Sequence, residues 1–163
     1  MNFDKAFAYK RWANAELLDF GGRQLAALPA EEAEFFVRIL NHTTVVDSLF
    51  ISRIKGEEEK YDADNTVETP SIDELKQRMD EHDSWLVSYA ENISEAELAR
   101  TISFEFVDGD KGRLQVSEIL LHLLTHGSNH RGMASRVLSS HKLDRPRDTF
   151  TRYLHQAEPE RRG

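Results

Sequence analysis

Four stretches of about 20 residues, each repeating apolar side chains every three or four positions, constrain this chain more than any other feature. The first, Phe3–Leu25, carries Phe3, Phe7, Trp12, Leu17, Leu18 and Phe20, with Gly21-Gly22 near its end and Pro29 marking a connection. The second, Glu31–Ile54, places Phe35, Ile39, His42, Val46 and Leu49 at steps of 4, 3, 4 and 3. It closes at Gly56 and the run Glu57-Glu58-Glu59, read as a solvated helix end. The third begins after Pro70, where Ser71 as N-cap and Glu74 three residues on form a capping box. Its stripe is Ile72, Leu75, Met79, His82, Leu86 and Ile93. The fourth, Ser117–Ser140, aligns Ile119, Leu123, His126, His130 and Val137, with Met133 or Ala134, on one face.

Each such helix is ~30 Å long and can bury its stripe only against the others. The expected fold is therefore all-α, a four-helix bundle, as one domain over residues 1–163. Between helices 3 and 4 the period drops to two, with Ile102, Phe104 and Phe106 alternating with polar residues. Asp108-Gly109 then supplies a turn, and Lys111–Val116 is expected to return as a second strand, giving a short β-hairpin. The hairpin and the roughly 15-residue loop between helices 2 and 3 are long enough to cross the bundle, so up-down-up-down order is not required. The tail after Lys142 is expected to be irregular or a short helix.

The formal net charge is −8, which argues against nucleic acid as a partner, because phosphate binding needs a concentrated basic face. The one basic cluster, around Arg145, Arg147, Arg152, Arg161 and Arg162, is interrupted by acids. There are no cysteines, so a transition-metal site would have to use His with Asp or Glu. No apolar run is long enough for a membrane helix, and the polar stretch Met1–Asp4 followed by Lys5 does not read as a secretory signal. A cytoplasmic location is the resulting expectation.

Three inward histidines stand where leucines belong. His126 and His130, four apart, differ by ~40° in azimuth and ~6 Å along a helix, a relation from which two imidazoles can share an ion at ~2.0–2.1 Å. His122 extends the ladder by a turn, but the accumulated rotation keeps all three from one ion, and His42 on the second helix is the better third ligand. Three protein nitrogens leave open positions, as in catalytic sites, whereas a closed structural site would recruit His82 or His122 as a fourth. The bland reading of His82 and His122 is that of hydrogen-bonded core residues. Gly127 and Ser128 are small enough to let a neighbouring helix or a ligand approach. Asp47 is a candidate orienter of a histidine N–H, although an exposed helix acid is the favoured reading; Arg131 is a candidate partner for an anionic substrate, although a surface salt bridge is the default reading. Tyr9 and Trp12 read as core or interface aromatics in preference to substrate-stacking residues.

The chain resembles the DinB family, also described as DinB/YfiT-like metalloenzymes, nearly end to end. The resemblance rests on Tyr9 with Trp12-Ala13-Asn14 and Leu17-Leu18, and on Leu40-Asn41-His42 with Asp47 and Phe50–Gly56. It continues through Ile119–His122 and His126 to His130-Arg131-Gly132, and through Asp144–Tyr153 with Asp148. Met133 stands where the family commonly has Gln. The resemblance implies up-down-down-up topology, a homodimer, and a divalent metal, nickel or zinc, at His42, His126 and His130. It also implies a kinship with thiol-dependent transferases or isomerases, including bacillithiol and mycothiol enzymes, and so a small-molecule thiol as substrate. The competing expectation is a non-catalytic helical bundle that binds a metal or small molecule.

Overall fold

The computed structural model describes residues 3–163; Met1 and Asn2, on which part of the reading of the N-terminus rests, lie outside the described residues. The four long helices are α1 (Phe3–Gln24), α2 (Ala30–Lys55), α3 (Ile72–Asn92) and α5 (Val116–Ser140), with a short α4 (Glu95–Ala99) between α3 and the hairpin. Strands β1 (Thr101–Glu105) and β2 (Lys111–Gln115) pair antiparallel, Thr101 opposite Gln115 and Glu105 opposite Lys111. A helix α6 (Phe150–Ala157) occupies part of the tail.

Local chemistry sets the ends. At α3 the Ser71 hydroxyl accepts from the Glu74 amide, and the Glu74 carboxylate accepts from the Ser71 amide, the reciprocal box expected from the sequence. Gly56 ends α2 in the left-handed region at φ 68°, where a Cβ would be strained. The α1–α2 connection is a single turn of 3-10 helix, Leu25–Ala27, before Pro29.

Cross-helix contacts give the topology. Lys10 meets Asp83, Arg11 meets Asp80 and Asp19 meets Lys76, so α1 and α3 run antiparallel. Asn41 meets Arg78 and Thr44 meets His82, so α2 and α3 run parallel. Asn14 meets Arg131, with Lys10 against Gly127, so α1 and α5 run parallel. The order is up-down-down-up, which residues 56–71 permit by crossing the length of the bundle between α2 and α3.

Two apolar clusters fill the interior. One gathers Phe7, Phe50, Leu86, Ile119 and Leu123 with Ile102 of the hairpin; the other gathers Leu17, Phe36, Leu40, Leu75, Met79 and Leu138. Between them lies a charged layer. Lys10 is 1% exposed, and its ammonium donates to Asp47 and Asp83, both at 2.6 Å. Asn14 donates to Asp83 and accepts from Arg131, whose guanidinium also donates to Asp148. Burial raises Asp47 to about 6, with the charge of Asp83 adding to it and Lys10 opposing it. Burial alone would lower Lys10, but two carboxylates around one ammonium outweigh it and leave its pKa raised.

Three readings from the sequence are corrected here. Asp47 is not an exposed helix acid and does not orient a histidine: it is fully buried and binds Lys10. Arg131 is not a surface residue but 2% exposed, because its stripe position faces α1 and the tail. Of the adjacent pair at the start of α2, Phe36 is the buried one, while Phe35, the expected stripe residue, is 41% exposed; the inward arc is broad and includes Thr43, Thr44 and Ser48.

Candidate metal centre

His42 projects from the middle of α2 toward α5, and His126 and His130 answer it from successive turns of α5. The His126 Nε2 lies 3.0 Å from the Nε2 of His42 and 3.0 Å from that of His130. Two nitrogens sharing one ion at the usual bond length stand ~2.9–3.4 Å apart, so these spacings suit common coordination. One nitrogen from each residue lies within 4.8 Å of the others, and no fourth His, Asp or Glu joins the group among the described residues.

The crossing loop orients His42. The Asp64 carbonyl lies 2.8 Å from its Nδ1, which must therefore carry the proton, leaving the Nε2 lone pair to face the cluster. The loop is itself tied to α2: the Asn41 amide donates to Asn65 and Thr66, and Asn65 donates to the Arg38 carbonyl. On α5 the Nδ1 atoms of His126 and His130 are buried with no hydrogen-bond partner among the described residues. Burial lowers His126 to about 3, helped by the neighbouring His130 and His42, and burial lowers His130 as well. Both imidazoles are thus held neutral, the form in which they can donate a lone pair.

Of the other two histidines considered, His82 behaves as a hydrogen-bonded partly buried residue, with its Nδ1 3.1 Å from the Thr44 hydroxyl. His122 differs from the expectation of a core residue: it is exposed, packing on Phe50 with its ring centroid 5.2 Å from that of His126. The one-turn rotation per step swings it out of the cluster and onto its rim. Gly127 acts as its size suggested, but toward a helix: a Cβ there would lie 3.2 Å from the Lys10 stem, so its absence lets α1 pack beside the His126 turn.

Tyr9 and Trp12 pack with Phe150 and Tyr153 of α6 as an aromatic group that seals the tail onto α1. Tyr9 also donates to Asp148, and burial together with that carboxylate raises its pKa to about 12. The buried lysine was missed in reading the sequence, although a signal existed. Lys10 and Asn14 fall on the spacing Phe3, Phe7, Lys10, Asn14, Leu17, Gly21, the core stripe of α1.

The family model described as DinB family matches residues 2–162 of this chain. No curated protein and no solved structure matches it. No helix of the described residues is long and apolar enough to cross a membrane.

Proposed function

The chain belongs to the DinB family, and from that premise we propose that it is a divalent-metal-dependent enzyme centred on His42, His126 and His130. The observation that carries the reading is the convergence of three Nε2 atoms, with that of His126 3.0 Å from each of the others. An all-imidazole donor set without thiolate suits nickel or zinc. Bound there, a divalent ion would supply Lewis acidity, drawing the pKa of a water or thiol that reaches it toward neutrality.

The protein's own groups prepare that chemistry. The Asp64 carbonyl fixes the His42 tautomer, and burial keeps His126 unprotonated at neutral pH. With three protein donors, the remaining coordination face is left to solvent or substrate, the usual arrangement of a catalytic centre. The reaction class we favour is transfer involving a low-molecular-weight thiol, with hydrolysis as the other branch. In this reading residues 1–163 work as one domain in the cytoplasm, as a homodimer, with a small-molecule thiol as partner and neither nucleic acid nor membrane.

One observation favours a second reading, a metal- or small-molecule-binding bundle without turnover. The Nδ1 atoms of His126 and His130 lack the carboxylate or carbonyl that usually orients and tunes ligating histidines.

Metal analysis of untagged protein tests the centre, with wild type compared against His126→Ala. Near-stoichiometric nickel or zinc in wild type and its loss in the variant is expected; equal, negligible metal in both removes the basis of the proposal. Turnover of a panel of low-molecular-weight thiols with electrophiles by the metal-loaded protein separates the two readings. Metal without turnover supports the non-catalytic one.

A further inference from the structure

On the flank of α5 facing away from the three histidines, the tail returns along the helix and leaves a cleft of about 530 Å³. Its walls carry four arginines, Arg131, Arg136, Arg145 and Arg147, and one aspartate, Asp148. Arg131 is already paired with Asp148, which leaves three guanidiniums with no acidic partner among the described residues. Among the described residues the Arg136 side chain bonds only the neutral Ser140 hydroxyl. In a chain of net charge −8 this is an island of positive potential.

The island is built rather than loose. Asp144 is clamped at both backbone groups by Gln24, whose side chain donates to its carbonyl at 2.7 Å and accepts from its amide at 3.0 Å. Pro146 is buried, and Asp148 is held by Arg131 and Tyr9. Positions 144, 146 and 148 therefore anchor to the body. In the non-helical segment between Lys142 and Thr149, the alternate residues Arg145 and Arg147 remain exposed on the other side. Opposite them, α5 contributes Ser128, Gly132 and Ser135, with open space where a Gly132 Cβ would stand. Small side chains let a ligand come close to the helix, and hydroxyls can donate to it.

We propose that this cleft is a binding site for a phosphate-bearing small molecule, with Arg136, Arg145 and Arg147 holding the anion. Guanidinium is the group of choice for phosphate, since its planar fork donates two parallel hydrogen bonds to the oxygens. The site is separate from the histidine cluster and does not depend on the metal reading.

The test is titration calorimetry with inorganic pyrophosphate at low ionic strength on wild type, Arg145→Ala/Arg147→Ala and His126→Ala. Saturable binding by wild type and His126→Ala, weakened at least tenfold in the double arginine variant, is the expected result. Added salt should weaken what remains. Both substituted arginines are exposed and without side-chain partners among the described residues, and matching circular dichroism and melting curves will show that the variant is folded. No saturable binding to wild type overturns the site, as does equal binding by the arginine variant. Binding lost only in His126→Ala also overturns it, by assigning the anion to the histidine cluster.

Discussion

Replacing Lys10 with Met probes the charged layer most directly. Methionine keeps the length and most of the volume of the lysine stem, so little of the effect comes from a cavity. What is lost is the ammonium between Asp47 and Asp83, 2.6 Å from each, with all three side chains at 1% exposure or less. Removing one partner of a buried ion pair costs ~3–5 kcal/mol. Here two carboxylates are left facing each other, with the amide of Asn14 as the remaining donor to Asp83, so the upper half of that range is expected at neutral pH.

The loss should also depend on pH. Burial has already raised Asp47 to about 6 in the wild type, where the ammonium opposes the shift. Without the ammonium it rises further above the unfolded value of ~3.9. A group whose folded pKa is raised contributes stability that is complete below the unfolded pKa and is lost as pH rises through the folded one. The deficit of the variant should therefore shrink as the pH falls from 8 toward 6, by at most ~1.4 kcal/mol for each unit from this one carboxylate. Denaturant unfolding followed by circular dichroism across that range is the assay. Adding Asp47→Asn, which removes the like charge, should recover at least half of the loss. A Lys10→Met deficit under ~1 kcal/mol, or one that ignores pH, would refute the account of the layer.

Gly21→Ala should destabilise by ~2–3 kcal/mol, because a Cβ there would lie 2.1 Å from the buried Phe36 ring; a melting temperature at or above wild type would contradict this. Ser71→Ala removes the capping box of α3 and should cost ~1 kcal/mol in the same unfolding assay. His82 is lowered to about 4 by burial, so the unfolded chain takes up its proton first as pH falls below ~6.5. Its contribution to stability is present above that value and lost on the way down to 4. His82→Gln should flatten this arm of the wild-type pH–stability curve, and superimposable curves would rule the assignment out.

The bundle was readable because α1, α2, α3 and α5 announce themselves by period, and the hairpin by its alternation around Asp108-Gly109. The three histidines were readable for the same reason: their spacing placed them inward before any contact was known. The charged layer was not. A lysine on an amphipathic helix reads as a solvent residue, and only the meeting of α1, α2 and α3 shows that Asp47 and Asp83 neutralise it. The better clue was positional, since Lys10, Asn14, Asp83 and Arg131 all sit on stripes otherwise made of Leu, Phe and Met. His122 failed in the opposite sense. Its heptad-like position promised burial, but the helix drift accumulated over one turn carries it to the rim, where the rings of Phe50 and His126 lie beside it and the residue stays exposed.

Helices that touch through aliphatic side chains alone can shift by a turn and still find partners, since one leucine packs much like the next. The ionic belt across the middle of this bundle forbids that. Sliding α1 by one turn would press the Lys10 ammonium into hydrocarbon and strand two carboxylates, an error that costs more than any repacked contact could return. Lys10 also lies against Gly127, beside the His126 turn of α5. The same stop that indexes α1 thereby indexes α5, and alignment of the imidazoles is inherited from a vernier set on the adjoining flank of their helix.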